Sequence, residues 1–146
     1  MSTAAISAEQ VRAFLTSYAA AFQRSDKDGV ADCYSYPAHV LTYNGGVRLL
    51  PVASREAWTV VIERILQMYG AMGVRTAAMR ELRVTDVSPQ VAQAHVVWSL
   101  QSDGDRPLYD FAATYTLALI DGALKIVQVV SENEQPKFQG VMRGRG

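Results

Sequence analysis

The dipeptide Asp121-Gly122 restricts the fold of this chain more than any other feature, because it separates two long apolar runs, residues 108–120 and 123–132. Both central residues of a type I′ turn need a positive φ, which an Asp-Gly pair provides. The sequence therefore predicts a hairpin with a two-residue turn, in which Ile120 faces Ala123. Every other pair of opposed residues in the hairpin follows from this turn.

A third apolar run, residues 91–100, precedes the hairpin and is joined to it by residues 102–107. A type II′ turn at Gly104-Asp105 sets Trp98 opposite Phe111. The two turns, chosen independently, place apolar side chains on one face of a three-stranded sheet, and we predict that this face forms the core. Its members are Ala94, Val96, Trp98, Leu100, Phe111, Ala113, Tyr115, Leu117, Leu124, Ile126 and Val130.

Two polar residues share this predicted core face. The hairpin register places Gln128 beside Tyr115 and Glu132 beside Phe111. A buried Gln128 needs a hydrogen-bond partner, which is either the Tyr115 hydroxyl or a bound ligand. Glu132 is either solvated at the end of its strand or buried beside aromatic rings, where a carboxyl group suits general acid or base work.

Three segments have the apolar spacing of amphipathic helices. Ser7 and Gln10 form a capping box that opens the first helix. The second helix is short and covers residues 30–34. Ser54 caps the third, which ends at residues 70–73. The apolar stripes of the first and third helices supply four candidate pocket residues: Tyr18, Phe22, Trp58 and Ile62.

Further strands are predicted at residues 38–43, 47–50 and 77–86. The order of elements indicates an α+β fold, a cone-shaped curved antiparallel sheet whose concave face is covered by three helices from the N-terminal half. We expect one domain over residues 1–135 and a loose tail over residues 136–146.

Small residues on the inner face of the predicted sheet indicate a cavity. Ala94 and Ala113 leave space that three helices do not fill completely. On the neighbouring strand, a register with Leu82 opposite Val96 also puts Arg80 opposite Trp98. The Arg80 guanidinium then either stacks on the indole ring or binds an anionic group.

Composition limits the classes of function. The chain has 146 residues, 49% of them apolar, and its 14 basic and 14 acidic residues balance. Neither a nucleic acid nor a membrane is therefore an expected partner. Cys33 is the single cysteine, so an internal disulfide and a cysteine-cluster metal site are excluded, and two scattered histidines indicate no metal site. The N-terminus lacks a signal-peptide pattern, so a cytoplasmic location is expected.

Residues 18–34, YAAAFQRSDKDGVADCY, followed by Pro37, resemble the opening of the superfamily of nuclear transport factor 2, SnoaL-like cyclases and ketosteroid isomerase. The similarity in element order covers nearly the whole chain. It implies a cone with an apolar pocket between helices and sheet. It also implies dimerisation through the outer sheet face, and isomerase or cyclase chemistry without a bound cofactor.

The resemblance assigns roles to only some residues. Tyr18 falls where ketosteroid isomerases have the tyrosine of the oxyanion hole. Thr42 matches the position of their catalytic base, and Tyr115 lies at or next to that of their protonated aspartate. A threonine hydroxyl has no basic form near pH 7, so steroid isomerase activity is not expected. His39 points away from the pocket if Thr42 points in, and a one-residue slip would reverse this and make His39 the best base.

The catalytic candidates are therefore Tyr18 and Tyr115 as hydrogen-bond donors, with Glu132 or His39 as proton shuttle. The ligand-binding candidates are Phe22, Thr42, Trp58, Ile62, Arg80, Trp98, Phe111 and Gln128. One hypothesis is a SnoaL-like pocket protein that acts on a small hydrophobic substrate as a cofactor-independent isomerase, cyclase or dehydratase. The alternative is a non-catalytic ligand-binding or dimeric interaction module.

The outer face of the predicted sheet carries small and β-branched residues with few charges, which is unusual for a surface left to water. We expect a two-fold homodimer through this face. Its predicted members are His95, Val97, Ser99, Ala112, Thr114, Thr116, Val127 and Val129.

Overall fold

The computed structural model describes residues 6–43 and 45–132, in which three helices cover one face of a curved six-stranded sheet. The helices are α1 (Ala8–Gln23), α2 (Lys27–Asp32) and α3 (Arg55–Met72). The strands are β1 (Tyr34–Tyr43), β2 (Val47–Val52), β3 (Thr76–Ser88), β4 (Val91–Gln101), β5 (Pro107–Ile120) and β6 (Ala123–Glu132). The α+β prediction is confirmed, whereas the tail predicted for residues 136–146 lies outside the described residues.

The predicted ends of the long helices are confirmed by their capping contacts. The Ser7 hydroxyl accepts a hydrogen bond from the Gln10 amide at 3.1 Å, and the Gln10 side chain accepts one from the Ser7 amide at 2.9 Å. Ser54 accepts from the Ala57 amide at 3.2 Å and so caps α3. Gly73 ends α3 in the left-handed conformation, with a φ of 80°, which glycine adopts without strain.

Helix α2 begins and ends earlier than predicted. Its N-cap is Asp26, whose carboxylate accepts a hydrogen bond from the Gly29 amide at 2.9 Å, so the helix starts at Lys27 and ends at Asp32. Tyr34 consequently opens β1 instead of closing the helix. This shift brings the Tyr34 side chain into the interior.

The strand order is β2-β1-β6-β5-β4-β3. Four neighbouring pairs are antiparallel, but β1 and β6 are parallel, so the prediction of a fully antiparallel sheet is wrong for this pair. The chain between these two strands contains α3 and four other strands. Turn signals, which link only strands that follow one another, could not reveal this pairing.

The Asp121-Gly122 hairpin is confirmed. Ile120 pairs with Ala123, and the two turn residues have φ values of 51° and 83°. The pairing of Trp98 with Phe111 across β4 and β5 is also confirmed. The connection between those strands differs from the predicted two-residue turn, since residues 102–106 form a longer turn in which Gly104 has a φ of 71°.

A β-bulge at Val127 overturns the predicted inner face of β6. Ile126 pairs with Leu117, but the next pair joins Gln128 to Thr116, so Val127 has no partner across β5. Because side chains alternate along a strand, one extra residue turns all later residues to the opposite face. Val129 therefore lies opposite Tyr115, in the place predicted for Gln128.

A second bulge, at Arg80, has the same effect on β3. Leu82 pairs with Val96 as predicted, but Trp98 faces Met79 and not Arg80. The inward place predicted for a guanidinium is thus occupied by the thioether side chain of Met79.

The core lies where α1 and α3 pack on the middle of the sheet. Its fully buried members include Leu15 of α1, Ile62 of α3, Val96 of β4, Leu117 of β5 and Ile126 of β6. Toward the C-terminal ends of both helices the packing opens into a cavity.

Candidate functional site: an aromatic cavity

The cavity has a volume of about 540 Å³ and lies between the C-terminal halves of α1 and α3 and the concave face of the sheet. This volume is within the range of about 300–1,000 Å³ that is usual for small-molecule sites. Aromatic side chains from two helices and three strands dominate its wall. They are Tyr18, Phe22, Tyr34, Tyr43, Trp58, Tyr69, Trp98, Phe111 and Tyr115.

Two hydrogen bonds join buried aromatic side chains in this wall. The hydroxyls of Tyr18 and Tyr34 are 2.8 Å apart, and the Trp98 indole N–H donates to the Tyr115 hydroxyl at 2.9 Å. Two phenols carry two hydroxyl protons, and the bond between Tyr18 and Tyr34 uses one of them. Among the described residues no second protein acceptor contacts either hydroxyl, so one donor of this pair is available to a ligand.

Ring contacts hold these hydroxyls in place. The Tyr18 ring meets the rings of Phe22 and Tyr115 edge to face, at centroid distances of 5.2 and 5.8 Å. Tyr34 meets Trp58 in the same way at 5.2 Å. Such pairs favour particular ring orientations, so the hydroxyls have little freedom to turn away from the cavity.

Burial raises the pKa of both phenols. The pKa of Tyr18 lies well above its ordinary value of 10.0, because burial and then the neighbouring Tyr34 and Tyr115 disfavour its charged form. Burial likewise raises the pKa of Tyr34. Both hydroxyls are therefore neutral near pH 7, where they act as hydrogen-bond donors and not as bases.

Trp58 brings a further donor to the cavity wall. Its side chain is 4% exposed, and its indole N–H has no hydrogen-bond partner in the described part of the chain. A buried donor without an acceptor costs about 1–3 kcal/mol. An unpaired group of this kind is uncommon in a folded protein. The wall of the cavity near Tyr34 and Trp58 therefore carries a hydrogen-bond donor that lacks an acceptor.

The mouth of the cavity is formed by lining residues whose side chains are exposed. They are Gln23, Ser25, Thr42, Tyr43, Met68 and Arg75. The Arg75 Nε is 3.1 Å from the Asp103 carboxylate, in an ion pair at the surface. Among the side chains that the structure describes, no Asp, Glu or His lines the cavity.

Seven of the residues proposed from sequence line the cavity together: Tyr18, Phe22, Thr42, Trp58, Trp98, Phe111 and Tyr115. Ile62 does not line it. That side chain is fully buried in the core, and Ile65, nearly one turn further along α3, takes its place in the cavity wall.

Gln128 and Glu132 lie on the outer face of the sheet, contrary to the predicted register. Gln128 is half-buried and pairs with Thr116, while Glu132 is exposed and pairs with Ala112. The bulge at Val127 turns both away from the cavity. The Tyr115 hydroxyl accordingly bonds to Trp98 and not to Gln128.

Arg80 and His39 also lie outside the cavity. The bulge at Arg80 in β3 turns this side chain outward, where its guanidinium forms an ion pair with Asp110. His39 is exposed and pairs with Pro51 and Gln128, while Thr42 lines the cavity. The orientation with Thr42 inward is therefore the one that β1 adopts.

Sequence reasoning missed Tyr34, Arg75 and Ser131 as lining residues. Tyr34 could have been found, since Tyr34, Tyr36 and Ala38 are apolar residues at the two-residue period of a strand face. Ser131 could not, because it faces inward only as a result of the bulge. Arg75 lies where β3 begins, at a boundary that periodicity locates poorly.

In the described ranges no group of His, Cys, Asp and Glu side chains could hold a metal ion. None of the helices there is both long and apolar enough to cross a membrane.

Comparison with known families assigns the fold. Residues 8–134 match the family model described as NTF2-like protein (DUF6841). No curated protein is significantly similar in sequence.

Solved structures agree with this assignment of the fold. An NTF-2 like protein of unknown function from Shewanella oneidensis MR-1 is 16% identical, with a TM-score of 0.65 over 86% of this chain and 98% of that one. An NTF2-like protein with a cystatin-like fold from Novosphingobium aromaticivorans is 12% identical, with a TM-score of 0.66 over 92% and 87%. A putative calcium/calmodulin dependent protein kinase II association domain from Xanthomonas campestris is 21% identical, with a TM-score of 0.60 over 90% and 96%.

Proposed function

This chain belongs to the NTF2-like family DUF6841, and we propose that it binds a small apolar molecule in the cavity between its helices and sheet. The observation that carries the proposal is the 540 Å³ cavity itself, whose wall is mostly apolar and includes nine aromatic side chains. A cavity of this size with apolar walls and a few converging polar groups is the usual form of a ligand site.

The buried donors define one part of the ligand. The Tyr18–Tyr34 pair leaves one hydroxyl proton without an acceptor, and the nearby Trp58 N–H is also unpaired. A neutral acceptor such as a ketone or ether oxygen would accept from the phenol pair. A ligand with one such oxygen on an apolar body therefore fits the cavity better than a pure hydrocarbon.

The donor set favours binding over proton-transfer catalysis. The two residues considered as proton shuttles, Glu132 and His39, lie outside the cavity. The phenols that do line it are neutral, so they can hold an oxygen atom but not remove a proton from carbon. The non-catalytic pocket protein is thus the form of the proposal that we favour.

A fluorescence titration with N-phenyl-1-naphthylamine, a neutral aromatic probe, tests this proposal. We expect saturable binding with one site per chain. Ala113→Phe should abolish it, because Ala113 is buried in the cavity wall and a phenyl ring there occupies the ligand space. Ala13→Phe, on the exposed face of α1, is the matched control and should bind as the parent does.

Circular dichroism must show that Ala113→Phe is folded. Equal binding by a folded Ala113→Phe, or no saturable binding by the parent, would contradict the proposal. Competition between 2-acetonaphthone and 2-isopropylnaphthalene then tests the acceptor. The ketone should compete better in the parent protein, and Tyr18→Phe combined with Tyr34→Phe should reduce that advantage, because the double variant lacks both phenol donors.

A further inference from the structure

The cavity has a single charged residue in its described wall, Arg75 at the mouth. The other polar lining side chains described there are neutral: hydroxyls, indoles and the Gln23 amide. A ligand that enters this cavity therefore meets one positive charge, placed at the boundary between the apolar interior and water.

The backbone fixes the position of Arg75, while its guanidinium is exposed. Its amide donates to the Gln101 carbonyl at 2.8 Å, and the Thr76 hydroxyl donates to the Gln101 side chain at 3.0 Å, so the start of β3 is tied to the end of β4. The side chain is 61% exposed and its partner Asp103 is 84% exposed. An ion pair this exposed contributes little stability and exchanges easily.

The ion pair with Asp103 involves only one of the three guanidinium nitrogens of Arg75. Asp103 contacts Nε, and the terminal amino groups of Arg75 donate no hydrogen bond to any described residue. These two groups form the planar fork that binds a carboxylate through two parallel hydrogen bonds. An anionic ligand could therefore bind Arg75 without displacing Asp103.

We infer that the ligand is a monocarboxylate with an apolar body. Its carboxylate binds Arg75 at the mouth, and its body lies among the aromatic rings. The interior cannot hold the carboxylate, because moving an unpaired charge into an apolar site costs far more than its hydrogen bonds to neutral phenols return. This inference rests on the proposed binding function and adds the chemical class and orientation of the ligand.

Decanoate and 1-decanol, which share an apolar chain and differ in the end group, test this inference as competitors of N-phenyl-1-naphthylamine. We expect decanoate to displace the probe at a concentration about fivefold lower than 1-decanol, as for a charge-assisted hydrogen bond at a partly screened site. Arg75→Gln should bring this ratio close to one, because the glutamine amide carries no charge. Arg64→Gln, exposed on α3 and outside the cavity wall, should keep the ratio.

Two further measurements sharpen the result. The ratio should fall as salt concentration rises, since the mouth is open to water. Asp103→Asn should raise it, because the acidic neighbour of Arg75 is neutralised. If the probe binds and the two competitors are equal, or if Arg75→Gln keeps the ratio, the carboxylate inference is wrong while the binding function stands. If the probe does not bind, the binding function itself fails.

Discussion

Trp58 and Trp98 both line the cavity and are both 4% exposed, but they differ in hydrogen bonding. The Trp98 N–H donates to the Tyr115 hydroxyl, whereas the Trp58 N–H has no partner among the described residues. Comparison of the two indoles therefore measures how much one buried hydrogen bond contributes to stability, because their exposed fraction and ring type are the same.

Replacing each tryptophan by phenylalanine should give unequal losses of stability. Trp98→Phe removes a donor that is used, while Trp58→Phe removes one whose desolvation is not compensated. We expect the free energy of unfolding to fall by about 1–2 kcal/mol more in Trp98→Phe. Urea unfolding followed by far-ultraviolet circular dichroism measures the difference. Equal losses, or a larger loss in Trp58→Phe, would show that the Trp58 N–H is satisfied in solution.

The buried phenols should make stability fall in alkaline solution. An unfolded tyrosine loses its proton near pH 10, whereas burial raises the pKa of Tyr18 and Tyr34 in the folded chain. Above pH 10 the unfolded state therefore binds fewer protons than the folded state, so the free energy of unfolding decreases as pH rises. The slope is at most about 1.4 kcal/mol per pH unit for each tyrosine, and it vanishes well below pH 10, where both states are protonated.

Urea unfolding between pH 9 and 11 measures this slope. The background should be Cys33→Ala, because burial also raises the pKa of that thiol, to about 11. In this background Tyr18→Phe with Tyr34→Phe should make the decrease with pH less steep, and the remaining slope includes Tyr36, whose pKa is raised by burial to about 12. An unchanged slope in the double variant would contradict the assignment of the alkaline loss to this pair.

In the strands, the predicted inward and outward faces are correct up to the bulges in β3 and β6 and wrong beyond them. The turn at Asp121-Gly122 correctly fixed the pairs nearest to it, down to Leu117 with Ile126. A bulge needs one additional residue and has no required side chain here, since Val127 suits a regular strand equally well. The alternation that holds as far as Ile126 therefore predicts Gln128 inside, and the bulge at Val127 reverses this.

The helices were easier to predict than the sheet edges. Capping by Ser7 and Ser54 is local and leaves a signature within four residues, so both were found. The parallel pairing of β1 with β6 depends on residues about 90 positions apart, such as His39 and Gln128. No local sequence motif in either strand indicates that pairing. The pocket residues predicted correctly are accordingly those on helix stripes or at strand positions that keep their predicted face.

For the whole molecule, the outer face of the sheet remains to be explained, because the helices cover only the inner face. Its central residues are half-buried by their neighbours and carry no charge in β5: Ala112, Thr114 and Thr116. His95 lies beside them, with its Nδ1 3.1 Å from the Thr114 hydroxyl. Val129, predicted for this face, is buried on the other side, and Val130 takes its place.

We propose that this outer face pairs with the same face of a second copy, as the sequence predicts. A two-fold contact uses the same patch on both copies, so a face of small, neutral and β-branched side chains can pack closely on itself. Sedimentation velocity at about 10 µM protein should give about twice the 16.0 kDa of one chain. Thr114→Arg should give a folded monomer, because it places a long charged side chain in the middle of the proposed contact. Thr16→Arg, exposed on α1, should remain dimeric. A parent protein that sediments at the mass of one chain, or a dimeric Thr114→Arg, would place the contact elsewhere or exclude it.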